Sequence, residues 1–207
     1  MEPLEEICAR LRDRLDDINS AREDALRDCR DVIRASSRAI RAVHRREFDE
    51  TRTLVNGARK LVERVKNGTA DHPEIFFAGY VHDSQKEYVE AEAMFAIVQG
   101  RPLPSPDELG VEPAAWLNGM AEAGSEARRY VLDRMRAGDL EEAERVFAVM
   151  DAIYGEMVTI DYPDAMTGGL RRTTDAFRAV LERTRGDLTL TSQQYELQRA
   201  IQDAAKQ

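Results

Sequence analysis

Glu87-Tyr-Val-Glu-Ala-Glu-Ala-Met-Phe-Ala-Ile-Val98 decides the fold class. Glu87, Glu90, Met94 and Ile97 follow one another at steps of three, four and three, and Tyr88, Ala91, Phe95 and Val98 form the neighbouring apolar row. That is the 3.6-residue period of a helix and not the period of two of a strand. Two carboxylates prolong an apolar stripe here, where a solvated helix would turn them outward.

The same period recurs on either side. A first helical segment runs from about Leu4 to Val65, with Ser20, Ser36-Ser37 and Asn56-Gly57 as its weak points, and Asn67-Gly68 and His72-Pro73 close it. A second covers Glu74 to Val98 and stops at Gly100. Arg101-Pro-Leu-Pro-Ser-Pro106 then reads as a rigid, non-helical connector, because proline removes backbone donors. A third helix starts at Pro113 and ends near Arg136, with Gly138 as its C-cap. Asp139 caps a fourth, whose first turn holds Glu141 and Glu142 and which reaches about Ile160. Asp164 to Arg185 follows, ended by Gly186, and Thr191 or Ser192 starts a terminal helix to about Ala205. Alternation of period two occurs only around Asp187–Thr191, too short for a sheet. The expectation is an all-α bundle of six to seven helices in one domain over residues 1–207. Within it, 1–66 are basic N-terminal helices, 74–136 acidic helices and 139–207 C-terminal helices.

Composition bounds the function. The chain has 207 residues, 33% of them charged, and a net charge of −9. That balance excludes a protein that coats nucleic acid over its whole surface, while leaving room for a local basic track. No apolar run approaches the ~20 residues that span a bilayer, and MEPLEEICARLRD is unlike a secretory leader. A cytoplasmic protein without membrane contact is expected. Cys8 and Cys29 make no metal motif and read as small buried side chains, as Trp116 and Tyr130 read as core. His44, His72 and His82 stand apart from one another, and no Gly-rich phosphate loop or Ser/His/Asp arrangement is present.

Two constellations carry chemistry. Glu122 and Glu126 lie four apart in the third helix, among Ala121, Ala123, Gly124, Ser125 and Ala127, where small side chains let another helix come close. Were that face to meet Glu87 and Glu90, four carboxylates would converge and need protons or cations to coexist. With no histidine or cysteine beside them, the cation is a hard one, Mg²⁺ or Mn²⁺, suited to two-metal phosphoryl transfer. The pattern argues against a di-iron oxidase site, which needs Glu-x-x-His pairs on two helices. The second constellation is Arg27, Arg30, Arg34, Arg38, Arg41 and Arg45, which advance by three, four, four, three and four along one helix face. They span about 27 Å at 1.5 Å per residue. Residues 22–66 hold 13 Lys plus Arg against 8 Asp plus Glu, a local excess of +5. The stripe suits a phosphate backbone, or else a solvated face paired with Glu23, Asp24, Asp28 and Asp31. The opposite side, Ala25, Cys29, Val32, Ser36, Ile40 and Val43, is apolar enough to face a core.

Gln85-Lys-Glu-Tyr-Val-Glu-Ala91 resembles the catalytic helix of the translin family, in its translin-associated factor X type. Trp116-Leu-Asn-Gly-Met-Ala-Glu-Ala-Gly-Ser-Glu-Ala-Arg-Arg129 is similar to the family segment in which an Asp, a Gly and a Glu precede an Arg. Gly138-Asp139, Tyr162-Pro163 and Leu170-Arg-Arg172 continue the likeness, which extends over about residues 30–186. The resemblance implies an all-helical protomer assembled into a closed octameric barrel. It further implies a metal-dependent endoribonuclease acting on single-stranded or fragmentary RNA, with DNA as a second possible partner. Glu87, Glu90 and Glu126 match catalytic acids of the family, and Glu122 stands where the family has aspartate. The acidic set marks the catalytic type, and the archaeal relatives imply a homo-octamer. The alternative expectation is a non-catalytic RNA- or DNA-binding scaffold of the translin type.

Overall fold

A computed structural model describes residues 2–205. Six helices of 18 or more residues alternate with three single turns, and there is no strand among the described residues. The helices are α1 Leu4–His44, α2 Phe48–Gly68, α3 Pro73–Phe76, α4 Gly79–Gln99, α5 Pro106–Leu109, α6 Pro113–Arg136, α7 Leu140–Met157, α8 Asp164–Thr167 and α9 Leu170–Ala204. The all-α expectation is met. No helix among the described residues is long and apolar enough to cross a membrane. The chain divides into two compact units, Met1–Ala91 with Ser105–Trp116, and Glu92–Pro104 with Leu117–Gln207.

In the first unit α1 and α2 form a hairpin. Their buried rows advance by alternating fours and threes: Ala25, Cys29, Val32, Ser36, Ala39 and Val43 on α1, and Thr51, Val55, Ala58, Val62 and Val65 on α2. Such seams pack as in a coiled coil. The expected weak points do not interrupt these helices. Ser36 is fully buried in the seam, and Asn56-Gly57 lie within α2. The break falls instead at Arg45–Glu47. There the amide of Glu47 donates to the Ala42 carbonyl and that of Arg46 to Val43, both at 2.9 Å, with Arg46 at φ 62°. This is a Schellman end with arginine in the position glycine normally takes. Asp28 accepts both Nε and Nη2 of Arg64, at 2.6 and 2.7 Å, tying α1 to α2. The Ser84 hydroxyl lies 3.3 Å from the Cys29 sulfur, joining α4 to α1. Cys29 is buried as expected, whereas Cys8 and Trp116 are only partly so.

Pro106 corrects the reading of the proline-rich connector. It opens α5, where Ser105 and Glu108 form a reciprocal capping box. The second expected segment likewise begins with the separate turn α3 before α4.

In the second unit, α6, α7 and α9 supply most of a core that includes Met120, Ala123, Val131, Val146, Met150, Phe177 and Leu181. Gly138 at φ 76° ends α6, and the Asp139 side chain accepts the Glu142 amide at the start of α7, both as expected. Helix α7 stops at Met157, short of Ile160. Gly186 does not end a helix, and neither Thr191 nor Ser192 starts one, since α9 is continuous from Leu170. The hydroxyls of Thr184, Thr189 and Thr191 instead donate to the carbonyls four residues back, which satisfies them inside the helix. Residues 187–191, the one place of period two, are helical as an interior stretch of α9.

Candidate metal centre and basic face

Glu87 and Glu90 project from α4, Glu122 and Glu126 from α6. Glu87, Glu90 and Glu122 are half-buried, and one carboxylate oxygen of each lies within 4.8 Å of the other two. A single Mg²⁺ holds oxygens at about 2.0–2.1 Å, hence up to about 4.2 Å apart across its octahedron. Drawn together within that span, the three would share one hard cation. The donor set is all carboxylate, which fits Mg²⁺ or Mn²⁺ and not a softer metal. Glu126 is not part of this trio. One turn beyond Glu122 on α6, it lines a surface cleft with Ser125, Arg128, Arg129, Leu132, Asp133 and Arg136.

Buried polar side chains hold the helices that carry these acids. In the first unit, Gln85 on α4 is almost fully buried and accepts the backbone amide of Glu112, just ahead of α6, at 2.9 Å. Tyr88, beside Glu87 in the chain, is fully buried and its hydroxyl accepts Arg59 Nε from α2 at 3.1 Å. In the second unit, Asn118 on α6 donates to the Thr167 carbonyl and accepts the Thr173 hydroxyl, each at 2.7 Å. Arg128 donates to Thr184 at 2.9 Å and to Asp187 at 2.8 Å, fastening α6 to α9. Arg145 on α7 caps the end of α4 by donating to the Ile97 carbonyl at 2.9 Å while both carboxylate oxygens of Glu142 hold its guanidinium. That hydrogen bond is the main reason the Glu142 carboxyl is held below its ordinary pKa; partial burial opposes it, and the Tyr130 hydroxyl adds to it.

Spacing places Tyr88 on the apolar row and Glu142 in a first helical turn, but it does not mark Gln85, Asn118, Arg128 or Arg145 as anchors. The available signal was a polar side chain at a core position: Gln85 sits three residues before Tyr88 on its apolar row, and Asn118 lies between apolar neighbours.

All six stripe arginines are exposed, and the opposite row from Ala25 to Val43 is buried. Four take part in ion pairs, Arg27 with Asp24, Arg34 with Asp31, Arg38 with Glu50, and Arg45 with Glu47 and Glu50. Arg30 and Arg41 have no ion-pair partner among the described residues. Asp28, read as a partner of the stripe, is turned to Arg64 instead.

An all-helical chain with three carboxylates gathered on two of its helices fits the translin-like class that the sequence resembles. Comparison with known proteins agrees. The chain is 32% identical over 181 residues to the uncharacterized protein MJ0175 of Methanocaldococcus jannaschii, covering 86% of this chain and 80% of that one. It superposes with a TM-score of 0.84 on AfC3PO in a complex with duplex RNA, and of 0.83 on a crystal structure of AfC3PO. Both are 34% identical, over 89% of this chain and 96% of theirs. Apo-NeC3PO shares the fold at a TM-score of 0.81 and 17% identity, over 92% of this chain and 98% of that one. No protein-family model matches the sequence. The chain belongs to the translin-like family of AfC3PO.

Proposed function

We propose that the chain is an endoribonuclease of the translin-associated factor X type, dependent on Mg²⁺ or Mn²⁺. The observation that carries this reading is the approach of Glu87, Glu90 and Glu122 to within 4.8 Å. Three carboxylates this close need cations, protons or hydrogen-bond donors to offset their charge, and a bound divalent cation is one such source. A bound Mg²⁺ or Mn²⁺ would supply charge stabilisation to a phosphodiester undergoing hydrolysis. Glu87, Glu90 and Glu122 would hold it, and Glu126, which matches the last acid of the family, would act from the adjoining arginine-lined cleft. The Arg27–Arg45 face would bind the RNA backbone through charge-assisted contacts. AfC3PO has been solved with duplex RNA, which supports RNA as the ligand class. Single-stranded RNA is the proposed substrate, and a homo-octamer the proposed assembly.

The test is cleavage of single-stranded and duplex RNA with and without divalent metal, for the wild type and Glu87→Gln. Metal-dependent cleavage lost in the variant supports the proposal. Cleavage undiminished by Glu87→Gln sinks the assignment of the site, and metal-independent binding without cleavage would make the protein an RNA- or DNA-binding scaffold.

A further inference from the structure

The α1 row that packs on α2 does not stop where α2 does. Numbered back from Ala25, the same alternation of fours and threes continues through Arg22, Ile18, Leu15, Leu11, Cys8 and Leu4. Across the hairpin, Asp17 pairs with His72 at 3.5 Å, in the turn that follows α2. Beyond that contact, Leu4, Leu11 and Leu15 are 75%, 52% and 62% exposed. Three leucines in register with a buried seam, yet in solvent, continue that seam without a helix packed on it among the described residues.

We infer that residues 4–15 of α1 pair antiparallel with the same residues of a second copy. In a heptad, Cys8 and Leu15 take a positions and Leu4 and Leu11 take d positions. An antiparallel pair sets a against d, giving four layers: Leu4 on Leu15, Cys8 on Leu11, and their symmetry mates. Glu5 and Arg12 take e positions, which face each other in this arrangement, so one flank of the seam carries both Glu5–Arg12 pairs between copies, while Ile7 and Arg14, at g positions, face each other on the other flank. A parallel pair would place Ile7 against Arg12 and Arg14 against Asn19, with no opposite charges matched. Charge therefore selects the antiparallel arrangement, as e and g residues do in coiled coils. Glu5 and Arg12 are both exposed and available for it. This inference is independent of the nuclease reading.

Disulfide trapping tests it on the full chain. Leu11→Cys places the introduced thiol across the seam from Cys8 of the second copy, and Cys29, 1% exposed, does not compete. Under mild oxidation this variant should give a covalent dimer, and Leu11→Cys with Cys8→Ser should not. Adding Glu5→Arg should slow trapping roughly threefold, and adding Arg12→Glu to that should restore it. The inference is overturned if the wild type itself crosslinks readily through Cys8, which would be the parallel pair. It is equally overturned if Leu11→Cys yields no dimer, as when another partner, or the exposed Leu190, Leu197 and Ile201 of α9, covers this face. Trapping that survives loss of Cys8 overturns the register.

Discussion

Gly124 lies so close to Phe177 that a Cβ on it would stand 2.3 Å from the ring's Cζ. Phe177 is fully buried and meets Tyr154 edge-on at 5.9 Å, so it has no room to retreat. Gly124 sits midway between Glu122 and Glu126, and the closeness of α6 to α9 depends on it. Gly124→Ala should therefore destabilise the protein by about 1–3 kcal/mol in a denaturant titration, despite alanine's better helix propensity. Pairing it with Phe177→Leu should recover part of the loss relative to Phe177→Leu alone. An alanine variant as stable as wild type would show that α9 can move away freely.

The Arg145–Glu142 pair makes the end of α4 sensitive to acid. Glu142 has a folded pKa below its ordinary 4.5, chiefly because Arg145 donates to it. A carboxylate of this kind contributes stability that is complete above the unfolded value and is lost as pH falls through the folded one. Glu142→Gln should thus cost about 1 kcal/mol near neutral pH. The difference from wild type should shrink below pH 4.5 in parallel urea titrations. A gap that widens on acidification would mean that Glu142 is stabilised as the acid and not as the carboxylate.

The helix ends explain how much of this fold was legible beforehand. At the ends of α4 and α6, Gly100 and Gly138 adopt φ 64° and 76°, and the following amides reach back to Ala96 and Arg134. Glycine announced both. The end of α1 has the same hydrogen bonds, but Arg46 occupies the left-handed position, so the break between α1 and α2 carries no glycine signal, whereas the serines and Asn56-Gly57 look like breaks and are not. Gly186 erred in the other direction, because a glycine in a helix interior costs only about 1 kcal/mol and α9 is held on both sides of it by Arg128, through Thr184 and Asp187. Periodicity singled out Glu87, Glu90, Glu122 and Glu126 alike, since side-chain direction on a helix is a local property. Which acids of two different helices come together is set by tertiary packing, and spacing does not reveal it.

Arg30 and Arg41 should matter more for RNA than their neighbours on the stripe. Arg27 and Arg34 are already partly neutralised, Arg27 by Asp24 at 2.7 Å and Arg34 by Asp31 at 3.1 Å. Removing one arginine from a phosphate lowers the slope of log affinity against log salt by about one. Arg30→Ala with Arg41→Ala should reduce that slope by about two in a fluorescence titration with labelled RNA. Arg27→Ala with Arg34→Ala should reduce it by less. Equal effects would mean that the carboxylate partners swing away when RNA binds, and no effect from either pair would remove the stripe from the binding face.

The sharpest test of the proposed centre is to separate the two acids of α6. Glu122 belongs to the trio within 4.8 Å, whereas Glu126 lines the cleft with Arg128, Arg129 and Arg136. Glu122→Gln should weaken Mn²⁺ binding by at least about 10–100-fold, the loss that disturbing an outer-shell partner alone causes, and cleavage should fall with it. Glu122→Asp keeps the charge on a shorter arm and should retain binding to within about tenfold. Glu126→Gln should leave Mn²⁺ affinity near the wild-type value, yet slow cleavage at saturating metal by about 100-fold, as loss of a positioned proton-transfer group does. Titrating Mn²⁺ by electron paramagnetic resonance, alongside single-turnover RNA cleavage, reads the two effects apart. If Glu126→Gln loses Mn²⁺ as strongly as Glu122→Gln, then Glu126 is a ligand, and α6 must present both acids to the cation when it binds.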